Sequence, residues 1–287
     1  PYQTYQYYLK NGYAPQFMQN TLHYNNGNGT FSETAYLSGI AATEWSWSPI
    51  VADYDNDGFK DLYITNGILG ATNDMDYINF ISNEKIQKQL ATEKSQRNLE
   101  LSKQIPQKKV KNYFYKNNQD KTFKNVTSTW VSHGNSYSNG GTSVDLDNDG
   151  DLDLVINNIN EDAFVLENTL DQNSQNSYLK IKFKGNSTNI FGIGTTVKAY
   201  YQNKVIVEEN YTTKGYLSSV EPKIHLGLGD AKVIDSLEII WSTNAHETLR
   251  DIKSNQEIVV YYKNALKNYS YKVLGKQTSF FVKKDSI

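Results

Sequence analysis

One nine-residue pattern occurs twice. The first copy runs Asp53, Tyr54, Asp55, Asn56, Asp57, Gly58, Phe59, Lys60, Asp61. The second runs Asp145, Leu146, Asp147, Asn148, Asp149, Gly150, Asp151, Leu152, Asp153. Both reduce to Asp-x-Asp-x-Asp-Gly-x-x-Asp, which puts four carboxylates within nine residues. Two unit charges 4 Å apart repel by about 1 kcal/mol in bulk water and by about 4 kcal/mol at an effective dielectric of 20. Such crowding is tolerable when the loop is solvated or when a cation neutralises it. Glycine at the sixth position permits the sharp turn that aims alternate side chains inward. Positions one, three, five and nine then offer carboxylate oxygens, and position seven offers a backbone carbonyl. Hard oxygen donors in that number suit Ca²⁺; Mg²⁺, which keeps more of its water, is second choice.

An EF-hand would need a glutamate at position twelve and a helix on each side. Position twelve is Ile64 or Ile156, each in a β-branched apolar run. The loops are therefore expected to join strands. A plain acidic turn is the competing reading, but both copies keep all four aspartates and the glycine.

The copies match beyond the loops. Tyr63-Ile-Thr-Asn66 follows the first and Val155-Ile-Asn-Asn158 the second. Asn26-Gly-Asn-Gly-Thr-Phe31 upstream is answered by Asn118-Gln-Asp-Lys-Thr-Phe123. The offset is 92 residues throughout, about twice a common propeller blade of 40–45 residues. The excess falls at about 72–110. Its centre, Asn83 to Ile105, is polar, rich in Glu, Lys, Gln and Leu, and stops before Pro106, so it reads as a helical insertion. From about residue 173 the pattern changes. Tyr178–Phe183, Thr196–Tyr201, Lys204–Tyr211, Ser236–Trp241 and Glu257–Tyr262 read as strands, with glycine turns between them. The expected domains are 1–172 with the insertion, an all-β domain at 173–263, and an unassigned tail at 264–287.

Composition removes several function classes. Twenty-nine Lys and Arg against 31 Asp and Glu leave a net charge of -2, which offers no basic field for nucleic acid. No apolar run reaches the roughly 18 residues of a membrane span. The absence of cysteine excludes disulfides, zinc-thiolate sites and thiol nucleophiles. The first residue is Pro1, not Met, and no signal peptide opens the sequence, so the expectation is a mature form or an excerpt of a longer protein.

The loop, the Asp-Leu that closes it and the upstream Asn-x-x-x-Thr-Phe resemble FG-GAP/VCBS repeats, the units of integrin-α-type β-propellers. The resemblance implies that each loop joins two strands of a blade and holds Ca²⁺. It assigns Asp53, Asp55, Asp57 and Asp61 as side-chain ligands of one site and Asp145, Asp147, Asp149 and Asp153 of the other, with the carbonyls of Phe59 and Asp151 completing each shell. Asn189 to Val197, Thr213 to Ser219, His225-Leu-Gly-Leu-Gly229 and Asp235 to Trp241 resemble the ASPIC/UnbV module, found after such repeats in cartilage-acidic-protein-like and exported Bacteroidetes proteins. That module often continues Trp-Pro-x-Gly; here Trp241-Ser-Thr-Asn244 departs from it. The fold class expected is mainly β: partial β-propeller blades with a helical insertion, then an all-β ASPIC/UnbV-type domain. Two copies do not close a ring of four to eight blades, in keeping with the excerpt expectation.

Other chemistry is thin. The four histidines lie at no metal-ligand spacing, and His225 sits inside an expected strand as a structural residue. Gly192-Ile-Gly194 and Gly227-Leu-Gly229 lack the third glycine of a dinucleotide site. Trp45 and Trp47 alternate on one strand face, as a packing pair before a sugar platform. The dense carboxylates are taken by the metal loops, leaving Glu44 and Asp76 as stray acids. The expectation is a non-catalytic protein with two Ca²⁺ sites at the cell surface, in the matrix or in the periplasm, binding a protein or glycan. The alternatives are a carbohydrate-active enzyme or lyase with structural calcium, and a scaffold subunit.

Overall fold

The computed structural model describes residues 2–14, 19–70, 79, 82–83, 105–169 and 175–271. Apart from a few positions, the expected helical insertion lies outside them, as does the tail beyond residue 271. Asp76 lies outside them too. The chain is mainly β, in agreement with the sequence reading. It opens with one helix, α1 (Tyr2–Lys10).

Contacts divide the chain into two units. The first comprises Pro1–Leu179 together with two later segments, Tyr211–Glu221 and His225–Asp230. It begins with the hairpin β1 (His23–Asn25) and β2 (Phe31–Glu33). A four-stranded sheet follows, in the order β3 (Ser46–Ala52), β4 (Asp61–Asn66), β5 (Tyr113–Asn117), β6 (Phe123–Asn125). The helical turn α2 (Thr127–Trp130) leads to the sheet β7 (Ser138–Val144), β8 (Asp153–Asn158), β9 (Phe164–Leu166).

The two copies agree in backbone detail. Ala52 pairs with Asp61 and Val144 with Asp153, so each acidic loop closes an antiparallel β-hairpin. Both hairpins slip register at the same place, between Ser46 and Pro49 and between Ser138 and Gly141. The upstream motif is a tight hairpin in both copies. Asn26 Nδ2 donates to Thr30 Oγ1 at 3.0 Å and Asn118 Nδ2 to Thr122 Oγ1 at 3.0 Å. The Thr30 amide donates to Asn28 Oδ1 and the Thr122 amide to Asp120 Oδ1, both at 3.0 Å. The shared Asn and Thr side chains thus bond each other across the turn, while Asn28 or Asp120 satisfies the turn's own backbone. The hairpin β5–β6 opens the second sequence copy yet completes the sheet of the first.

Strand β4 is buried along its whole length. Leu62 and Ile64 face one cluster with Ala35, Ile40, Ala41 and Tyr115. Tyr63 faces the opposite one, with Ile50, Tyr54, Phe114, Leu154 and Ile156 drawn from both sheets. A strand covered on both faces needs a continuous apolar run, as Leu62-Tyr-Ile supplies.

The second unit holds Lys180–Asn210, Pro222–Ile224 and Ala231–Ile287. Its five-stranded sheet has the order β12 (Lys204–Glu209), β11 (Thr196–Tyr201), β14 (Val233–Ile240), β15 (Ala245–Lys253), β17 (Lys267–Asn268). Strand β10 (Tyr178–Lys184) lies between β13 (Lys223–Gly227) and β16 (Gln256–Tyr261). Val197, Ala199, Leu237 and Ile239 are fully buried, alternating along β11 and β14 as period-two side chains do.

Candidate metal centres

Each acidic loop is held by its own side chains. In the first, Asp53 Oδ2 accepts from the Gly58 amide at 2.8 Å and Oδ1 from the Asp57 amide at 3.1 Å. Asp57 Oδ1 accepts from the Phe59 amide at 2.9 Å. In the second, Asp145 Oδ2 accepts from the Gly150 amide at 3.2 Å and Asp149 Oδ1 from the Asp151 amide at 3.0 Å. Gly58 and Gly150 have φ of 91° and 98°, a region that side chains rarely enter, so glycine at position six is a geometric requirement.

The result is two triads. Carboxylate oxygens of Asp53, Asp55 and Asp57 lie within 4.8 Å of one another, and so do those of Asp145, Asp147 and Asp149. Asp61 and Asp153 stand apart from these triads. Asp61 accepts from the Tyr54 amide at 3.3 Å and the Asn117 amide at 2.9 Å. Asp153 accepts from the Leu146 amide at 2.8 Å and the Asn168 amide at 2.7 Å. Position nine therefore ties its loop to the adjacent strand segment while keeping further lone pairs available. Phe59 is half-buried beside the first triad.

The donor set fits a hard divalent cation. Burial pushes the Asp53 carboxyl up to about 8, aided by the charges of Asp57, Asp55 and Asp61 and opposed by the Gly58 amide. Burial, opposed by the Asn117 amide, pushes Asp61 up to about 7. Asp151 is pushed up to about 7 by burial and then by Asp149. Asp151 is 7% exposed, and its Oδ1 has no hydrogen-bond partner. A buried, unsatisfied carboxylate oxygen near the charge of Asp149 is costly unless a cation meets it. The sequence reading used only the backbone carbonyl of Asp151; its side chain also lies near enough to Asp149 for their charges to interact.

Five contributions to the first loop escaped the sequence reading. Asn56, at φ 56° and 4% exposed, donates through Nδ2 to the Gly150 carbonyl at 3.1 Å, joining the two loops. His225 Nε2 lies 2.8 Å from Asn56 Oδ1, and the Gly229 amide donates to the Asn56 carbonyl at 2.8 Å. Gly227 packs so closely on Asp53 that a Cβ there would lie 2.6 Å from Asp53 Cγ. His225-Leu-Gly-Leu-Gly229 thus braces the first loop, with His225 inside a strand as the sequence reading placed it. Lys116 reaches the same loop: Nζ contacts Asp55 Oδ2 and lies 3.5 Å from Asp57 Oδ2. The signal available in sequence for Asn56 was its place before Asp-Gly in both copies.

The tryptophan pair divides. Trp47 donates to the Gly67 carbonyl and packs against Tyr216 at 4.8 Å, while Trp45 is 38% exposed. Glu44 makes an exposed pair with Lys108 at 3.9 Å.

Comparison with known proteins agrees with this geometry. An FG-GAP-like repeat model matches residues 13–64 and 107–156, ending in β4 and β8 just past each acidic loop. A model described as ASPIC and UnbV matches residues 185–267. No curated protein matches the chain.

Proposed function

We propose that this chain, which carries FG-GAP-like repeats followed by an ASPIC and UnbV domain, is a Ca²⁺-stabilised, non-catalytic binding module that engages a protein or glycan outside the cytoplasm. The observation that carries the reading is the pair of carboxylate triads, each within 4.8 Å and each set by a glycine-dependent turn. Asp53, Asp55, Asp57 and the Phe59 carbonyl would hold one ion. Asp145, Asp147, Asp149 and both the carbonyl and the side chain of Asp151 would hold the other. Asp61 and Asp153 orient the loops and complete the shells. The ion supplies charge neutralisation; the chain's own amides keep the carboxylates converged.

Magnitudes favour an exported location. Extracellular calcium modules bind at about 10⁻⁴–10⁻³ M. At about 1 mM Ca²⁺ and a dissociation constant of about 0.1 mM, each site adds about 1.4 kcal/mol. Cytosolic calcium would leave such sites empty. Among the described residues no helix is long and apolar enough to cross a membrane. The non-catalytic part rests on the carboxylates being committed to the loops, since a metal-bound carboxylate is a poor general acid.

Thermal melts with EDTA and with 1 mM Ca²⁺ test the stabilisation, and a polysaccharide panel read for both binding and turnover tests the role. The reading expects a higher melting temperature with Ca²⁺ and binding without turnover. Equal melting temperatures refute the calcium part; turnover refutes the non-catalytic part.

A further inference from the structure

The two loops are built alike but have unlike neighbours. Asp61 accepts from the Asn117 amide at 2.9 Å, and Asp153 accepts from the Asn168 amide at 2.7 Å. These bonds place Asn117, at the end of β5, and Asn168, just past β9, at equivalent positions against their loops. The preceding residues are then equivalent too, and they are Lys116 and Glu167. The Lys116 ammonium contacts Asp55 Oδ2 and stands 3.5 Å from Asp57 Oδ2, with both carboxylates mostly buried. It occupies two of the three side chains whose oxygens form the first triad. The second loop has a carboxylate at the corresponding register, and a further one, Asp151, where the first loop has Phe59.

We propose that Lys116 is a built-in counter-ion of the first loop that competes with the divalent cation, so that the two loops bind Ca²⁺ with unequal affinity: the second tightly, the first only when the ammonium is displaced. This rests on the calcium reading above and adds a regulation to it. The first site becomes a sensor of calcium concentration, while the second is filled at lower levels. Cation and ammonium draw on the same Asp55 and Asp57 oxygens, and like charges brought that close repel in a partly buried site. Without calcium the ammonium relieves the crowding of Asp55 and Asp57, which lets the first loop keep its shape; the second loop has no such relief from its register-equivalent residue.

Calcium titration of the full chain in competition with a chromophoric chelator tests this, with Asp57→Ala and Asp149→Ala assigning each step to a loop. The wild-type chain is expected to bind in two resolved steps, the weaker belonging to the first loop. Lys116→Met should tighten the weaker step by at least about tenfold and lower the melting temperature measured in EDTA. A residue that merely packs would not move these two readouts in opposite directions. Glu167→Lys, measured independently, should weaken the tighter step. A first-loop affinity within twofold of wild type in both Lys116→Met and Lys116→Gln overturns the inference while leaving the calcium reading intact. Equal wild-type affinities overturn it as well. No calcium binding at either loop refutes both.

Discussion

Replacing Gly227 with alanine probes the bracing of the first loop. The backbone of β13 runs so close to that loop that an added Cβ would lie 2.6 Å from Asp53 Cγ and 2.8 Å from Asn56 Cα. Real Cβ atoms do not approach other heavy atoms below about 3.0 Å, and one of the two neighbours is backbone. The strand or the loop must shift. Overpacking of this kind costs about 1–3 kcal/mol, and in a unit of this size 1 kcal/mol moves the melting temperature by about 2–4 °C. Gly227→Ala should therefore melt about 2–12 °C below wild type. The shift displaces Asp53, a member of the first triad, so calcium affinity at the first loop should fall while the second loop keeps its own. Gly134→Ala is the control, since a Cβ there meets nothing within 4 Å. Differential scanning calorimetry and calcium titration read both effects. If Gly227→Ala melts with Gly134→Ala and both calcium steps are unchanged, β13 does not brace the loop.

Asn56→Ala removes the bonds to Gly150 and His225 and forces alanine into a φ of 56°. The expected loss is about 3 kcal/mol by urea denaturation, with Asn56→Gly losing less because it tolerates that backbone. Gly150→Ala places a Cβ against the Tyr178 ring at a φ of 98° and should cost about 2 kcal/mol or more in the same assay. The carboxyls of Asp53 and Asp61, raised to about 8 and about 7, make the calcium-free protein bind more protons folded than unfolded above pH 4. Its stability from these groups is present below about pH 4 and falls as pH rises to 8. Urea midpoints in EDTA at pH 5, 6, 7 and 8 should decline, and a flat or rising series contradicts the assignment. Calcium, by favouring the ionised carboxylates, should shrink that decline and release protons on binding near pH 7.

Local chemistry made the loops and hairpins legible. Asp-x-Asp-x-Asp-Gly encodes its turn through side chains that bond amides two to five residues away, and Asn118 with Thr122 does the same for the β5–β6 turn. Strands β10, β11, β14 and β16 were visible because β-branched and aromatic residues cluster along them. Strand β15 was missed: Ala245–Lys253 is polar, and only Ala245 in it is buried. The bracing by His225 and Gly227 and the reach of Lys116 were not legible at all. They depend on contacts between residues far apart in the chain, 169 positions for His225 and Asn56, and a lysine in an ordinary strand carries no local sign that its ammonium meets an acidic loop. The substitution of Glu167 at the matching register was readable only after the Asn117 and Asn168 amides fixed the alignment.

The central claim is that a divalent ion resolves the crowding in each acidic loop. Isothermal titration of the chelator-treated protein with Ca²⁺ up to millimolar concentration tests it most directly. The account predicts two ions per chain, with one lost in Asp57→Ala and the other in Asp149→Ala. A flat titration with the sheets intact by circular dichroism, or two ions still bound when both aspartates are replaced, would contradict it.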